Sequence, residues 1–102
     1  MSAYLISEVE VRDPAGFETY RSVAAKAIAQ YRGRYLVRGG AAEAVEGGPP
    51  PKNIIIAEFP SMEVLREWYA SPEYAEALEH RRTALDRRLI FVEGLASGEI
   101  ES

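Results

Sequence analysis

The sequence predicts an α+β fold in the order βαββαβ, and three observations lead there. Short segments of alternating apolar and polar residues stand near both ends of the chain and twice in its middle. Between the first two and between the last two lie stretches whose apolar residues recur at helical spacing. The two middle segments are separated only by a loop rich in glycine and proline, with no helical pattern in it.

Ala3 to Arg12 is the first strand. Tyr4, Ile6, Glu8 and Glu10 alternate with Leu5, Ser7, Val9 and Val11, so one face is aliphatic and the other runs from aromatic to carboxylate. Asp13-Pro14 reads as a helix start, with Asp at the cap and Pro at the first helical position, where a missing N–H costs nothing. Phe17, Tyr20, Ala24, Ala27, Ile28 and Tyr31 form the apolar stripe of that helix, and Gly33 suits the left-handed residue that ends it. Arg34 to Gly40 is the second strand, with Tyr35 and Val37 on one face and Arg34, Leu36 and Arg38 on the other. Gly39 to Lys52 is irregular. Ala42 to Glu46 is expected as a short strand extension, and Gly47-Gly48-Pro49-Pro50-Pro51 as a turn or loop.

Asn53 to Phe59 is the third strand. Ile54, Ile56 and Glu58 oppose Ile55, Ala57 and Phe59, so both faces are apolar enough to be covered. Pro60-Ser61 closes it and caps a helix carrying Leu65, Trp68 and Tyr69. Ser71-Pro72-Glu73 repeats the sequence of cap, proline and acid, which predicts a second helical segment with Tyr74, Leu78, Arg81 and Leu85 inward. Leu89 to Val92 is the last strand.

This order is the split βαβ, or ferredoxin-like, arrangement: a four-stranded antiparallel sheet with its helices on one face. The other face would expose Ile6, Leu36, Ile54 and Ile56, a patch that monomers rarely show. Sheet-to-sheet pairing with a second copy would bury it and make a homodimer, a dimeric α/β barrel. One domain is expected over residues 1–102, with a core at about 3–95 and a short tail at 96–102.

Composition narrows the function. With 47% hydrophobic and 27% charged residues the chain is an ordinary folded domain. A net charge of −4 and a pI near 5.0 speak against a nucleic-acid partner, which needs a basic face. Arg81, Arg82, Arg87 and Arg88 read as an exposed, ion-paired helix face or as a local basic patch. The absence of cysteine removes disulfides, thiolate metal sites and cysteine nucleophiles. No apolar run approaches the roughly 20 residues that span a bilayer, so no membrane partner is expected. The start of the chain carries no signal-peptide pattern, and a cytoplasmic location is expected. Phosphate-cradling loops, a GxSxG elbow, EF-hand spacing and the aromatic pair of an RNA-binding sheet are all missing.

Four separated runs, Tyr35-Leu36-Val37-Arg38-Gly39-Gly40, Glu58-Phe59-Pro60-Ser61-Met62, Trp68-Tyr69-Ala70-Ser71-Pro72-Glu73-Tyr74 and Val92-Glu93-Gly94, resemble in this order the domain-of-unknown-function 1330 family (DUF1330). The likeness extends from about Ala3 to Leu95. The family looks like part of the dimeric α/β-barrel superfamily, whose relatives include cofactor-free monooxygenases of antibiotic biosynthesis, haem-dependent chlorite dismutases and small isomerase-like proteins. The resemblance implies the fold and the dimer. It transfers no reaction, because a fold does not carry a function with it.

Glu8, Arg38 and Glu58 share the face parity of the apolar patch, and such charges inside a barrel are costly unless paired. Either a glutamate neutralises Arg38 structurally, or Arg38 clamps a ligand's carboxylate or oxyanion while Glu8 or Glu58, its pKa raised by burial, acts as base. His80 is the lone histidine, with no second ligand at metal-binding spacing; it is either a solvent-facing residue or an acid–base catalyst at the helix rim beside Arg81. Trp68, Tyr69 and Tyr74 are core aromatics or pocket wall, and the hydroxyls of Tyr4 and Tyr20 need partners if buried. The expected function is binding of a small, mostly apolar, anionic metabolite without metal or organic cofactor. The superfamily resemblance suggests proton transfer or cofactor-free oxygenation for it; the alternative is a non-catalytic dimeric ligand-binding or structural module.

Overall fold

A computed structural model describes residues 1–95; the tail expected at 96–102 lies outside the described residues. The elements are β1 (Ala3–Val11), α1 (Pro14–Gln30), β2 (Arg34–Arg38), β3 (Asn53–Phe59), α2 (Met62–Tyr69), α3 (Pro72–Ala84) and β4 (Leu85–Glu93). They make one antiparallel sheet in the order β2-β3-β1-β4, the ferredoxin-like arrangement, with the helices on a single face. The buried residues of β1, Ala3, Leu5, Ser7 and Val9, all point to that covered face.

Local chemistry accounts for the boundaries. Ser61 and Ser71 each accept the N–H three residues on, from Val64 and Tyr74, both at 3.1 Å. Ser71 Oγ also donates to Trp68 O at 2.7 Å, so one buried hydroxyl ties the end of α2 to the start of α3. Asp13 stands at the cap of α1, but its side chain makes no capping bond. Instead the Arg12 and Asp13 N–H groups donate to Ala84 O at 2.8 and 3.1 Å, fastening the start of α1 to the end of α3. At the far end of α1 the left-handed residue is Arg32 (φ 62°), not Gly33 as expected. Gly33 N–H reaches Ile28 O and Arg32 N–H reaches Ala29 O, the paired bonds of a Schellman end. Gly33 is required for room: a Cβ there would sit 2.8 Å from Ile28 and from the Phe59 ring.

Three expectations are corrected. β4 starts at Leu85, four residues before Leu89, and Leu85 is extended (φ −158°, ψ 159°) rather than part of the helix. Its charged opening Asp86-Arg87-Arg88 hides the alternation, which becomes clear only against β1, where Arg88 opposes Glu8 and Asp86 opposes Glu10. Two cations relieve the Asp86–Glu10 pair, Arg12 on Asp86 at 3.4 Å and Lys52 on Glu10 at 3.8 Å. Second, Ala42 to Glu46 forms no strand; it has no pairing partner, and Gly39, Gly47 and Gly48 turn the chain at positive φ on either side. Third, β2 carries an extra residue. Tyr35 opposes Ala57, yet Val37 opposes Ile56 and Arg38 opposes Ile55. This bulge reverses the parity, so Arg38 faces the helices while Glu8 and Glu58 stay on the open face.

The core lies between sheet and helices around Phe59, Leu65, Trp68, Tyr74, Leu85 and Val9, each under 2% exposed or at 2% for Leu85. Trp68 stacks at a tilt on Tyr74, with centroids 4.2 Å apart, and Phe59 packs on Trp68 at 5.5 Å. On the open face a single apolar row crosses all four strands: Val37 opposes Ile56, Ile56 opposes Ile6, and Ile6 opposes Ile90. Leu36, Ile90 and Val92 keep 47%, 37% and 42% of their surface exposed, far more than core residues do.

Candidate functional site

Between α1 and the covered face of the sheet the packing leaves a cavity of about 30 Å³. Leu5, Val9, Ala24, Ile28 and Ile55 make its apolar wall, and Ser7, Tyr20, Tyr35, Trp68, Arg21, Arg38 and Arg87 supply the polar groups. A vestibule of about 170 Å³ lies alongside, lined by Phe17, Gly39 and Asn53 together with Arg21, Arg38 and Ile55, which it shares with the cavity. Arg21 and Arg38 therefore stand at the junction. Three guanidinium groups and no carboxylate or imidazole line the cavity.

Each arginine is held differently. Arg21 pairs with the exposed Glu18 at 3.2 Å. The Arg38 guanidinium stacks on the Tyr35 ring at 4.5 Å. Arg87 forks onto two phenols: Nη1 donates to Tyr20 Oη at 2.6 Å, and Nη2 donates to Tyr74 Oη. Those oxygens are themselves 3.0 Å apart. Since Arg87 can only donate, one phenol gives its proton to the other, and one O–H is left over. Among the described residues neither Arg38 nor Arg87 has an ion-pair partner.

Three further donors are orphaned among the described residues, Ser7 Oγ, Trp68 Nε1 and Arg81 Nε, of which the first two belong to residues of the cavity lining. Ser7 and Trp68 are each only 1% exposed. Buried polar groups are almost always satisfied, and leaving one bare costs about 1–3 kcal/mol, so a pair of orphans around one cavity marks a place where a guest completes the bonding.

Burial pushes the Tyr20 hydroxyl well above the ordinary phenol range, with the Arg87 charge opposing only part of the effect. Burial likewise raises Tyr35, against the pull of Arg38. Tyr20 is consequently a donor, not a phenolate base. The sign of the stability effect follows. In the unfolded chain Tyr20 ionises near pH 10, while in the fold it stays protonated, so its contribution is complete below about pH 10 and is lost as pH rises beyond that. We expect stability to urea to fall above about pH 10 and Tyr20→Phe to flatten that decline; an equally steep decline in the variant would refute the assignment.

Six of the nine sequence-predicted residues separate into two groups. Arg38, Tyr20 and Trp68 meet at the cavity. Glu8, Glu58 and Tyr4 lie on the opposite face, where Tyr4 Oη donates to Glu58 Oε2 at 3.3 Å and Arg34, not Arg38, pairs with Glu58 at 2.7 Å. The Arg34 hydrogen bond holds Glu58 below the usual carboxylate range, opposite to the raised pKa expected of a base. His80 and Arg81 on α3 do not line the cavity. Tyr69 is 45% exposed and packs edge-on against Phe91 at 5.8 Å. Sequence reasoning missed Arg87, Arg21 and Ser7. The signal for two of them was present: Ser7 interrupts the aliphatic series Leu5, Val9, Val11, and Arg87 interrupts Leu85, Leu89, Phe91.

The family model for the domain of unknown function DUF1330 matches residues 2–95, nearly the whole chain. The chain belongs to the DUF1330 family. Among solved structures, this DUF1330 chain is similar to a Rhodopseudomonas palustris protein of unknown function, at 22% identity over 93% of this chain and 83% of that one, with a TM-score of 0.76. It is also similar to SnoaB, a cofactor-independent oxygenase from Streptomyces nogalater, at 16% identity over 95% and 96% of the two chains, with a TM-score of 0.63. A third is a dimeric ferredoxin-like protein of unknown function from Thermobifida fusca, at 18% identity over 91% of each chain, with a TM-score of 0.61. At these identities the likeness is one of fold. No curated protein matches the chain in sequence. No helix among the described residues is long and apolar enough to cross a membrane.

Proposed function

We propose that this DUF1330 protein binds a small anionic metabolite in the cavity beneath α1, as one subunit of a homodimer joined through the open sheet face. The observation that carries the binding reading is the charge of the lining: Arg21, Arg38 and Arg87 with no acidic residue among them. Of the three, Arg21 alone has a carboxylate partner among the described residues, the exposed Glu18, and an anion compensates the other two. The dimer rests on the apolar row through Ile6 and on the dimeric state of the similar Thermobifida protein. No lining residue can take a proton at neutral pH, so the ligand is bound already ionised.

A second reading, cofactor-independent oxygenation, is favoured by the likeness to SnoaB. In that case the arginines would stabilise an electron-rich, deprotonated substrate, with the phenols as hydrogen-bond donors.

Trp68 is the chain's single tryptophan and lines the cavity, so its emission reports occupancy directly. Titration with short aliphatic and aromatic carboxylates is expected to change that emission, with matched primary amides far weaker. Arg38→Gln should weaken carboxylate binding by about tenfold, the loss of one charge-assisted bond. Equal affinity for acid and amide, or an unaltered affinity in Arg38→Gln, would sink the proposal.

A further inference from the structure

We infer that the ligand has two heads: an ionised carboxylate held by Arg21 and Arg38 where they line the vestibule, and a neutral carbonyl-type oxygen at the inner end, received by Ser7 and Trp68. This rests on the binding reading above and adds the chemistry of the ligand's second end. The inner cavity, about 30 Å³, is the room one water or one oxygen substituent takes up. Two of its lining residues, each 99% removed from solvent, carry orphan groups, a hydroxyl and an indole N–H, and the indole can only donate. When Tyr74 donates to Tyr20, the Tyr20 O–H left over is a third donor, since Tyr20 borders the same space. An uncharged acceptor such as a ketone oxygen answers these donors, while Arg87, whose two Nη groups already serve the phenols, offers no free cation there for a second negative charge.

The other end is set by the sheet. Arg38 opposes Ile55, and Ile55 opposes Ser7, so one row of the covered face runs from the guanidinium to the orphan hydroxyl. Strands about 4.8 Å apart put the two backbone positions roughly 10 Å from each other. The vestibule, about 170 Å³ and walled by Phe17 and Ile55, holds the apolar middle of a short ligand. The class is thus a short oxo acid with a few carbons between carboxylate and ketone.

The test uses matched pairs in the intact protein, followed by Trp68 emission and calorimetry: 4-oxopentanoate with pentanoate, 5-oxohexanoate with hexanoate, and 4-acetylbenzoate with 4-ethylbenzoate. At least one oxo acid should bind about tenfold tighter than its partner, the effect of satisfying a buried donor. Ser7→Ala, which changes no packing volume beyond one oxygen, should bring that ratio toward one; Trp68→Phe, read by calorimetry, should do the same. Arg38→Gln should weaken both members of a pair equally. Equal binding within every pair, or a ratio untouched by Ser7→Ala, overturns the two-headed ligand while the Arg38 effect keeps the anion site. Loss of the Arg38 effect overturns both.

Discussion

Arg87→Ala is expected to lower stability by about 2–4 kcal/mol, and with it the melting temperature by more than about 10 °C. Arg87 is half-buried on β4, and its fork serves two phenols that have almost no access to water, Tyr20 at 5% and Tyr74 at 0% exposure. Removing the guanidinium leaves both oxygens with only each other, 3.0 Å apart, where there were two charge-assisted donors. Each such bond contributes about 1.5–3 kcal/mol, discounted here because burying the charge was itself unfavourable. Arg87→Lys sharpens the test. Lysine keeps the charge but cannot reach two oxygens in one plane, so its melting temperature should fall between wild type and alanine. Thermal denaturation at one fixed protein concentration decides it. A melting temperature within a degree or two of wild type for the alanine variant would mean that the two tyrosines are satisfied without Arg87. Affinity for carboxylates should also fall in that variant, because one of the three cations of the lining is gone.

Much of the fold was legible because local signals and the long-range pattern agree. Asp13-Pro14 and Ser71-Pro72 mark helix starts by chemistry that acts within a few residues, and the structure starts α1 at Pro14 and α3 at Pro72. The parity of β1 is equally local, and Leu5, Ser7 and Val9 are buried on one face as the alternation requires. The candidate site was less legible because it depends on one inserted residue. Counting from Tyr35 by twos gives Val37 and Gly39, which sends Arg38 to the open face with Glu8 and Glu58. The bulge opposite Ile56 reverses this, and nothing in Tyr35-Leu36-Val37-Arg38 announces it, since none of the four is a glycine. The opening of β4 was hidden for a different reason. Asp86, Arg87 and Arg88 lower the apolar content of a segment that pairs along β1 with charged or aliphatic partners already in place. Arg87 then looks like surface charge in the sequence, although its position between Leu85 and Leu89 puts it on the covered face.

Ile6→Lys is expected to convert the proposed homodimer to a monomer without unfolding it. Ile6 is the one position of the open face with an isoleucine opposite it on both neighbouring strands, Ile56 and Ile90, so it sits at the centre of the apolar row. A two-fold interface repeats every residue, so a single substitution places two ammonium groups in the same patch, facing like charge and stripped of water. Desolvation and repulsion of that kind amount to several kcal/mol, which raises the dissociation constant on the order of a thousandfold or more. The fold should survive, because Ile6 lies on the face the helices do not cover and its neighbours in the chain, Leu5 and Ser7, hold the core side unchanged. Light scattering after size separation should therefore give half the wild-type mass with an unaltered far-ultraviolet spectrum. The cavity offers a second readout, since all of its lining residues come from one chain. A monomeric variant that still binds carboxylates would place recognition within the subunit and assign the open face to assembly alone. A variant that remains dimeric would move the interface away from the row through Ile6, and the exposed Leu36, Ile90 and Val92 would then need another partner.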